Sequence, residues 1–371
     1  MTVDTNRSDD ETDPADYGRD RFKQRGNHSA RELIELVGVG ITAVLAVVMI
    51  GFITLDWLRF APEWAVIGTY ADLLFEQFLI AGAWMDVYLG TNVFRHPFTW
   101  RAVATGVLIG IVAPLIGTFL VHRQMALIGE TLAHTAFAGV AVGLLFVAVT
   151  GWDGSLLFVA LIVSALGAVA LQWLTEHTNT YGDVPIAIVL SGSFAVGTLL
   201  ISWGRDFASM AIDIEGFLFG SLAIITIEGS RMVAMLTVAV VAIVAVTYKQ
   251  LLFITFDEQA ARVAKINVDR YNTLLIVMTA VVVVGAMQIL GVILVAAMLV
   301  IPVATASQIA HSFRETLVLS VLFGQVAVLS GVAFSIRTSL PPGGSIVVIG
   351  IACYLFAIGL SNRSDTSLSI H

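Results

Sequence analysis

Glu130 and His134 stand four residues apart in VHRQMALIGETLAHTAFAGVAVGL, residues 121–144, a stretch otherwise compatible with lipid. Four residues make about one helical turn, so the two side chains share a face with Cβ atoms about 5 to 6 Å apart and can reach one ion together. A carboxylate oxygen and an imidazole nitrogen are both suitable ligands for first-row divalent metals. Two copies facing each other across a dimer axis would supply four ligands, and an ion pathway of that kind must bind weakly enough to release. On insertion scales an acidic side chain at the bilayer centre costs roughly 2.5 to 3.5 kcal/mol, so Glu130 is expected to be paired, to face water or to handle an ion. The competing reading is polar glue between helices, with hydrogen bonds worth about 0.6 kcal/mol each in membrane proteins. The pattern is not the His-Glu-x-x-His of zinc proteases, which needs two histidines around a catalytic glutamate.

Other reactive residue types have blander readings. Ser191-Gly192-Ser193 offers hydroxyls with no base to activate them, and small residues in a span more commonly let helices approach closely. Gly106 with Gly110, and Gly139 with Gly143, read as the same packing device. Asp183 precedes an apolar run and is expected to cap a helix, with a metal exit site as the minority reading. The chain holds no G-x-x-x-x-G-K-[ST] loop, so it is not expected to hydrolyse nucleotide itself, and it is expected to act as no enzyme.

The elements that must carry these residues follow from composition. Hydrophobic residues make up 58% of the chain and charged residues 12%, in long apolar blocks rather than alternating patterns, which predicts an all-α polytopic membrane protein. Runs long enough to span lie near 34–55, 98–121, 126–149, 155–174, 184–203, 232–254, 271–289, 291–309, 316–335 and 344–361, giving about 8 to 10 transmembrane helices in one bundle. The run at 291–309 is so tightly joined to its predecessor that a short re-entrant helix is the alternative. Residues 216–227 are too few to cross and are expected to form an interfacial or re-entrant segment on the external face. Residues 1–32 are expected to be a disordered cytoplasmic tail. Residues 33–97 comprise a first span followed by a segment rich in Trp and Tyr suited to the membrane interface, 98–361 a transmembrane core, and 362–371 a cytoplasmic tail. Arg19, Arg21, Lys23, Arg25 and Arg31 place the amino terminus on the cytoplasmic side of the plasma membrane. No signal peptide is expected, and Cys353, alone of its type, excludes an intrachain disulfide.

Four segments together resemble the permease subunits of ATP-binding-cassette importers for zinc, manganese or iron. They are GTFLVHRQMALIGETLAHTAFAGVAVG at 117–143, TYGDVPIAIVLSGSFAVG at 180–197, TFDEQAARVAKINVDRYN at 255–272 and GVILVAAMLVIPVATA at 291–306. The resemblance covers roughly residues 98–361; the family more often has Asp where this chain has Glu130, and residues 1–97 are additional. It implies no cofactor in this chain, ATP bound by separate ATPase subunits, a transported divalent metal ion, an extracytoplasmic metal-binding receptor protein, a homodimer of permeases in lipid and no nucleic acid. It also implies a coupling element seated in the ATPase, for which Pro302, His311 and Arg314 are the first choice and the amphipathic stretch with Asp257, Glu258 and Arg262 the second. The alternative is a gradient-driven secondary cation carrier or channel, with Glu130 and His134 as a proton-coupled relay.

Overall fold

A computed structural model describes residues 14–60, 65–151, 156–177, 184–204 and 225–368. All of the regular structure among them is helical. In chain order the helices are α1 (Pro14–Leu58), α2 (Ala65–Leu89), α3 (Pro97–His122), α4 (Ala126–Thr150), α5 (Leu156–His177), α6 (Val184–Gly204), α7 (Ile227–Phe256), α8 (Glu258–Val263), α9 (Val268–Leu290), α10 (Val292–Ser307), α11 (Phe313–Thr338) and α12 (Pro342–Leu368). Nine helices among the described residues are long and apolar enough to cross a membrane: α1 to α4, α6, α7, α9, α11 and α12. The protein is a multi-pass helical membrane protein. Helices apolar all round can face lipid or one another, and both occur here.

Helix starts follow local capping. Thr226 accepts the backbone N–H of Gly229 at 3.0 Å, so α7 begins at Ile227, earlier than the apolar run alone suggests. Ser312 accepts the N–H of Glu315 at 3.1 Å while Glu315 accepts that of His311 at 2.7 Å, closing a reciprocal box at the start of α11. Helix α1 starts at Pro14, within the stretch read as a tail, and α12 runs to Leu368. Of the segment 216–227, residues 216–224 lie outside the described residues.

Helix α3 is the central post. Nearly all of its residues from Thr99 to Leu120 are buried, and it packs against α11, α10, α7, α1 and α9. Close approach depends on glycine. A Cβ on Gly110 would sit 3.3 Å from the Gly324 carbonyl oxygen of α11, and one on Gly117 would sit 2.0 Å from the Leu299 carbonyl oxygen of α10. The Gly106 and Gly110 pair therefore serves packing within the chain.

Helices α9 and α10 share Gly291, which ends one and starts the next at φ 82° and ψ 158°. That backbone region is essentially restricted to glycine. The break leaves α10 with 16 residues, about 24 Å of helix against about 30 Å of hydrocarbon. Too short to cross as a straight rod, it is buried among α3, α4, α11 and α12.

At one end of the bundle, Arg101 of α3 grips buried Asp56 of α1 through two nitrogens, the second at 3.2 Å, and Arg59 joins at 3.1 Å. The other end is fastened by Arg123, whose guanidinium reaches the Asn272 side-chain oxygen of α9 at 2.7 Å. Helix α2, although long enough to cross, is held at two points by the segments that Asp56 and Arg101 join, the end of α1 and the start of α3. Its Gly68 lies against the Leu58 and Arg59 carbonyls, and its Gly82 against the Phe94 carbonyl and the Trp100 ring. Asp86, near its end, accepts backbone N–H groups from Val93, Phe94 and Arg95 and the Thr91 hydroxyl, sealing the corner into α3.

Candidate metal pathway and coupling surface

Helix α4 carries Glu130 and His134 on one face, and α5 and α6 hold it there. Glycines make that contact tight: a Cβ on Gly139 would lie 2.9 Å from the Ala160 Cα, and one on Gly197 would lie 2.8 Å from the Phe137 ring. Thr135 and Ser193 hydroxyls meet at 3.2 Å between α4 and α6, so Ser193 joins two helices. Gly143 is buried as well.

The His134 ring stands edge-on to Phe194 of α6, 5.1 Å between centroids, and its Nδ1 is buried without a hydrogen-bond partner among the described residues. A buried ring nitrogen left unpaired is costly unless something else binds it. Glu130, one turn earlier, is exposed on the surface of the single chain. It lies about 6 Å from the start of α4, nearer the Arg123 end than the middle of the bundle. No cluster of three or more His, Cys, Asp or Glu side chains forms among the described residues, so one chain offers this pair and no complete cage. Phe194 was invisible as a neighbour of His134 in the sequence, because only the α4–α6 crossing brings them together. Asp183 lies outside the described residues.

The two coupling candidates fall at the Arg123 end and touch. Phe313, which opens α11 after the turn with His311, packs at 5.7 Å from Phe256 at the end of α7, at 5.2 Å from Phe119 and at 4.9 Å from the His122 ring. Pro302 sits inside α10 rather than ending it. Arg314 is 76% exposed and lies 3.6 Å from Glu35 of α1. In the second candidate, Asp257 caps α8 by accepting the N–H of Ala260 at 2.8 Å, and Arg262 bridges Glu258 at 2.9 Å and Asp269 at 3.1 Å. Buried Arg123 adds a 3.7 Å contact to Glu258. Burial lowers the Arg123 pKa from the ordinary arginine value, and the Glu258 carboxylate opposes that shift. The α3–α4 turn is thereby fixed to α8 and α9, with Gln124 in the left-handed region at φ 58°.

The sequence profile of the ABC 3 transport family matches residues 95–361, well over half of the chain. The chain belongs to this family. Among similar proteins, the manganese transport system membrane protein MntC of Listeria monocytogenes is 31% identical over 72% of this chain and 91% of its own length. The manganese import system permease protein ScaB of Streptococcus parasanguinis is 28% identical over 74% of this chain and 95% of its own. A solved structure described as PsaBC from Streptococcus pneumoniae in complex with Fab superposes with a TM-score of 0.62 at 30% identity, covering 70% of this chain and 90% of that one. The matched part of this ABC 3 family permease starts just before α3, leaving α1 and α2 outside it. As a transport membrane component it carries out no catalytic step of its own.

Proposed function

We propose that this chain is the membrane-spanning permease of an ATP-driven importer for a divalent transition-metal ion, with manganese the first candidate because MntC and ScaB are membrane proteins of manganese transport systems. The observation that carries the site is the Glu130–His134 face of α4, where a carboxylate and an unpaired buried imidazole nitrogen share one helical turn. Oxygen and nitrogen donors of this kind suit manganese, zinc and iron alike. Exposure of Glu130 on a single chain favours an assembly in which a second copy covers it and completes the ligand set, since a lipid-facing carboxylate is expensive.

The Arg123 end is the cytoplasmic end in this reading, consistent with the basic residues that precede the first span. Separate ATPase subunits dock there on the capped turn His311–Arg314, with α8 beside it, and their closure on ATP is passed to α10 and α11. Phe313 is the junction between the two segments. An extracytoplasmic metal-binding receptor docks at the Asp56 end, where α2 lies along the membrane interface of the plasma membrane. Alternating access then exposes the Glu130–His134 face to each side in turn.

The test is uptake of radiolabelled manganese and zinc by cells lacking the native gene, comparing wild type with Glu130→Ala and His134→Ala at matched membrane abundance, with and without ATP depletion. Loss of uptake in both variants and on depletion is expected. Uptake that survives depletion would establish the gradient-driven carrier instead, and normal uptake by both variants would overturn the site.

A further inference from the structure

We infer that a groove between α1 and the family core is a binding site for one anionic phospholipid, its acyl chain between α1 and α7 and its phosphate held at the Arg123 end by Lys249 and Arg314. The site shares Arg314 with the turn proposed above to meet the ATPase, so its test reads lipid bound to the isolated chain and not uptake.

The groove has a volume of about 550 Å³, inside the roughly 300 to 1,000 Å³ typical of ligand pockets. Its walls are almost wholly apolar. Ala43 and Ala46 of α1 face Ala242 and Ala245 of α7, and Ile111 of α3 and Val321 of α11 contribute to the lining. The alanines are the reason for the space: α1 and α7 meet through short side chains in the middle of their length, where the larger Val and Leu side chains of a lipid-facing helix would close the gap. Val39, Val238 and Val241 line the groove yet remain exposed, so it opens sideways where the hydrocarbon lies.

What distinguishes this groove from ordinary lipid-facing surface is the chemistry at one mouth. Residues three or four apart on a helix lie above one another. By that register Lys249 continues the Ala242–Ala245 face of α7, Arg314 the Leu317–Val318 face of α11, and Glu35 the Val39–Thr42 face of α1. Lys249 is exposed and has no ion-pair partner among the described residues. Arg314 makes a 3.6 Å contact with Glu35. By register, then, two cations and Glu35 lie nearest the opening of the apolar slot, with Glu32 one turn further out on α1, and Lys249 is the cation left for an anion. Tyr248 adds a hydroxyl in the adjacent position, its ring fixed edge-on to Phe119 at 6.4 Å. An acyl chain below a phosphate matches both halves of the site. A soluble anion would use the mouth alone, and a neutral lipid the slot alone.

The test uses the full chain, purified in detergent, washed free of lipid and incubated with phosphatidylglycerol, phosphatidylcholine or inorganic phosphate, with bound molecules counted by native mass spectrometry. One phosphatidylglycerol per chain should be retained in preference to phosphatidylcholine. Lys249→Ala should weaken retention about fivefold, as expected for one basic side chain at an anionic surface, and Lys249→Arg should restore it. Ala242→Phe, which fills the slot, should also lose the lipid, whereas Val246→Phe, on the exposed face of α7, should not. If Ala242→Phe fails to fold, the Lys249 pair still decides. Equal retention of both lipids and of all variants would mean annular lipid only and would overturn the site. Displacement of phosphatidylglycerol by inorganic phosphate alone would overturn the role of the groove.

Discussion

Glu130 and His134 were legible from spacing alone, because a helical turn places such a pair on one face whatever surrounds it. What lies opposite them was not legible. The edge-on contact between His134 and Phe194 and the hydroxyl pair Thr135–Ser193 depend on how α4 and α6 cross, and no local pattern encodes a crossing. The carboxylate at position 130 also lends itself to a finer test than removal. If it acts as a ligand, Glu130→Asp keeps the oxygen donor and should hold manganese uptake near the wild-type level. Glu130→Gln keeps the shape, loses the charge and should lower uptake at least about tenfold, in the range seen when metal-site partners are removed. Equal activity of the Asp and Gln variants would argue for a hydrogen-bonding role.

At the scale of helices, the apolar runs gave most elements directly, since about 20 lipid-compatible residues admit few other structures. The exceptions have physical causes. Glycine at position 291 permits a backbone turn no other residue adopts comfortably, and it divides what the sequence left as two spans or one span and a short helix. Substituting Gly291→Ala should destabilise the fold by about 1 to 3 kcal/mol, read as a lower melting temperature of the purified chain. At Gly117 the obstacle is steric instead. With the Leu299 carbonyl 2.0 Å from where a Cβ would stand, Gly117→Ala must push α10 away from α3, and a drop in both melting temperature and uptake is the expected outcome. The aromatic segment after the first span becomes helix α2, whose length and composition fit a crossing but whose two flanking helices, α1 and α3, meet at one end of the bundle through Asp56 and Arg101. Hydropathy reports what a helix tolerates, and only its contacts report where it lies.

For the whole molecule, the additional helices are joined to the family core by charge as well as by packing. Asp56 is 1% exposed and serves two arginines, so Asp56→Ala would strand both in a partly buried setting. A loss of about 3 to 5 kcal/mol is expected from breaking a buried pair by removing one partner, measurable as thermal stability in detergent micelles. Asp56 and Arg101 are each visible in the sequence as charges bordering apolar runs; that they meet across 45 residues was not. Among the described residues, the hydrogen bonds and ion pairs of Asp56 and Asp86 are all made by residues before position 102. The Asp86 corner closes over nine residues or fewer, and the α1–α3 ion pair needs nothing synthesised after Arg101. Contacts so close in sequence form early and quickly during chain growth. The amino-terminal segment is thus a prefabricated footing: α1, α2 and the head of α3 can be assembled in the membrane while the helices bearing Glu130 and His134 and the turns at Glu258 and His311 are still leaving the ribosome.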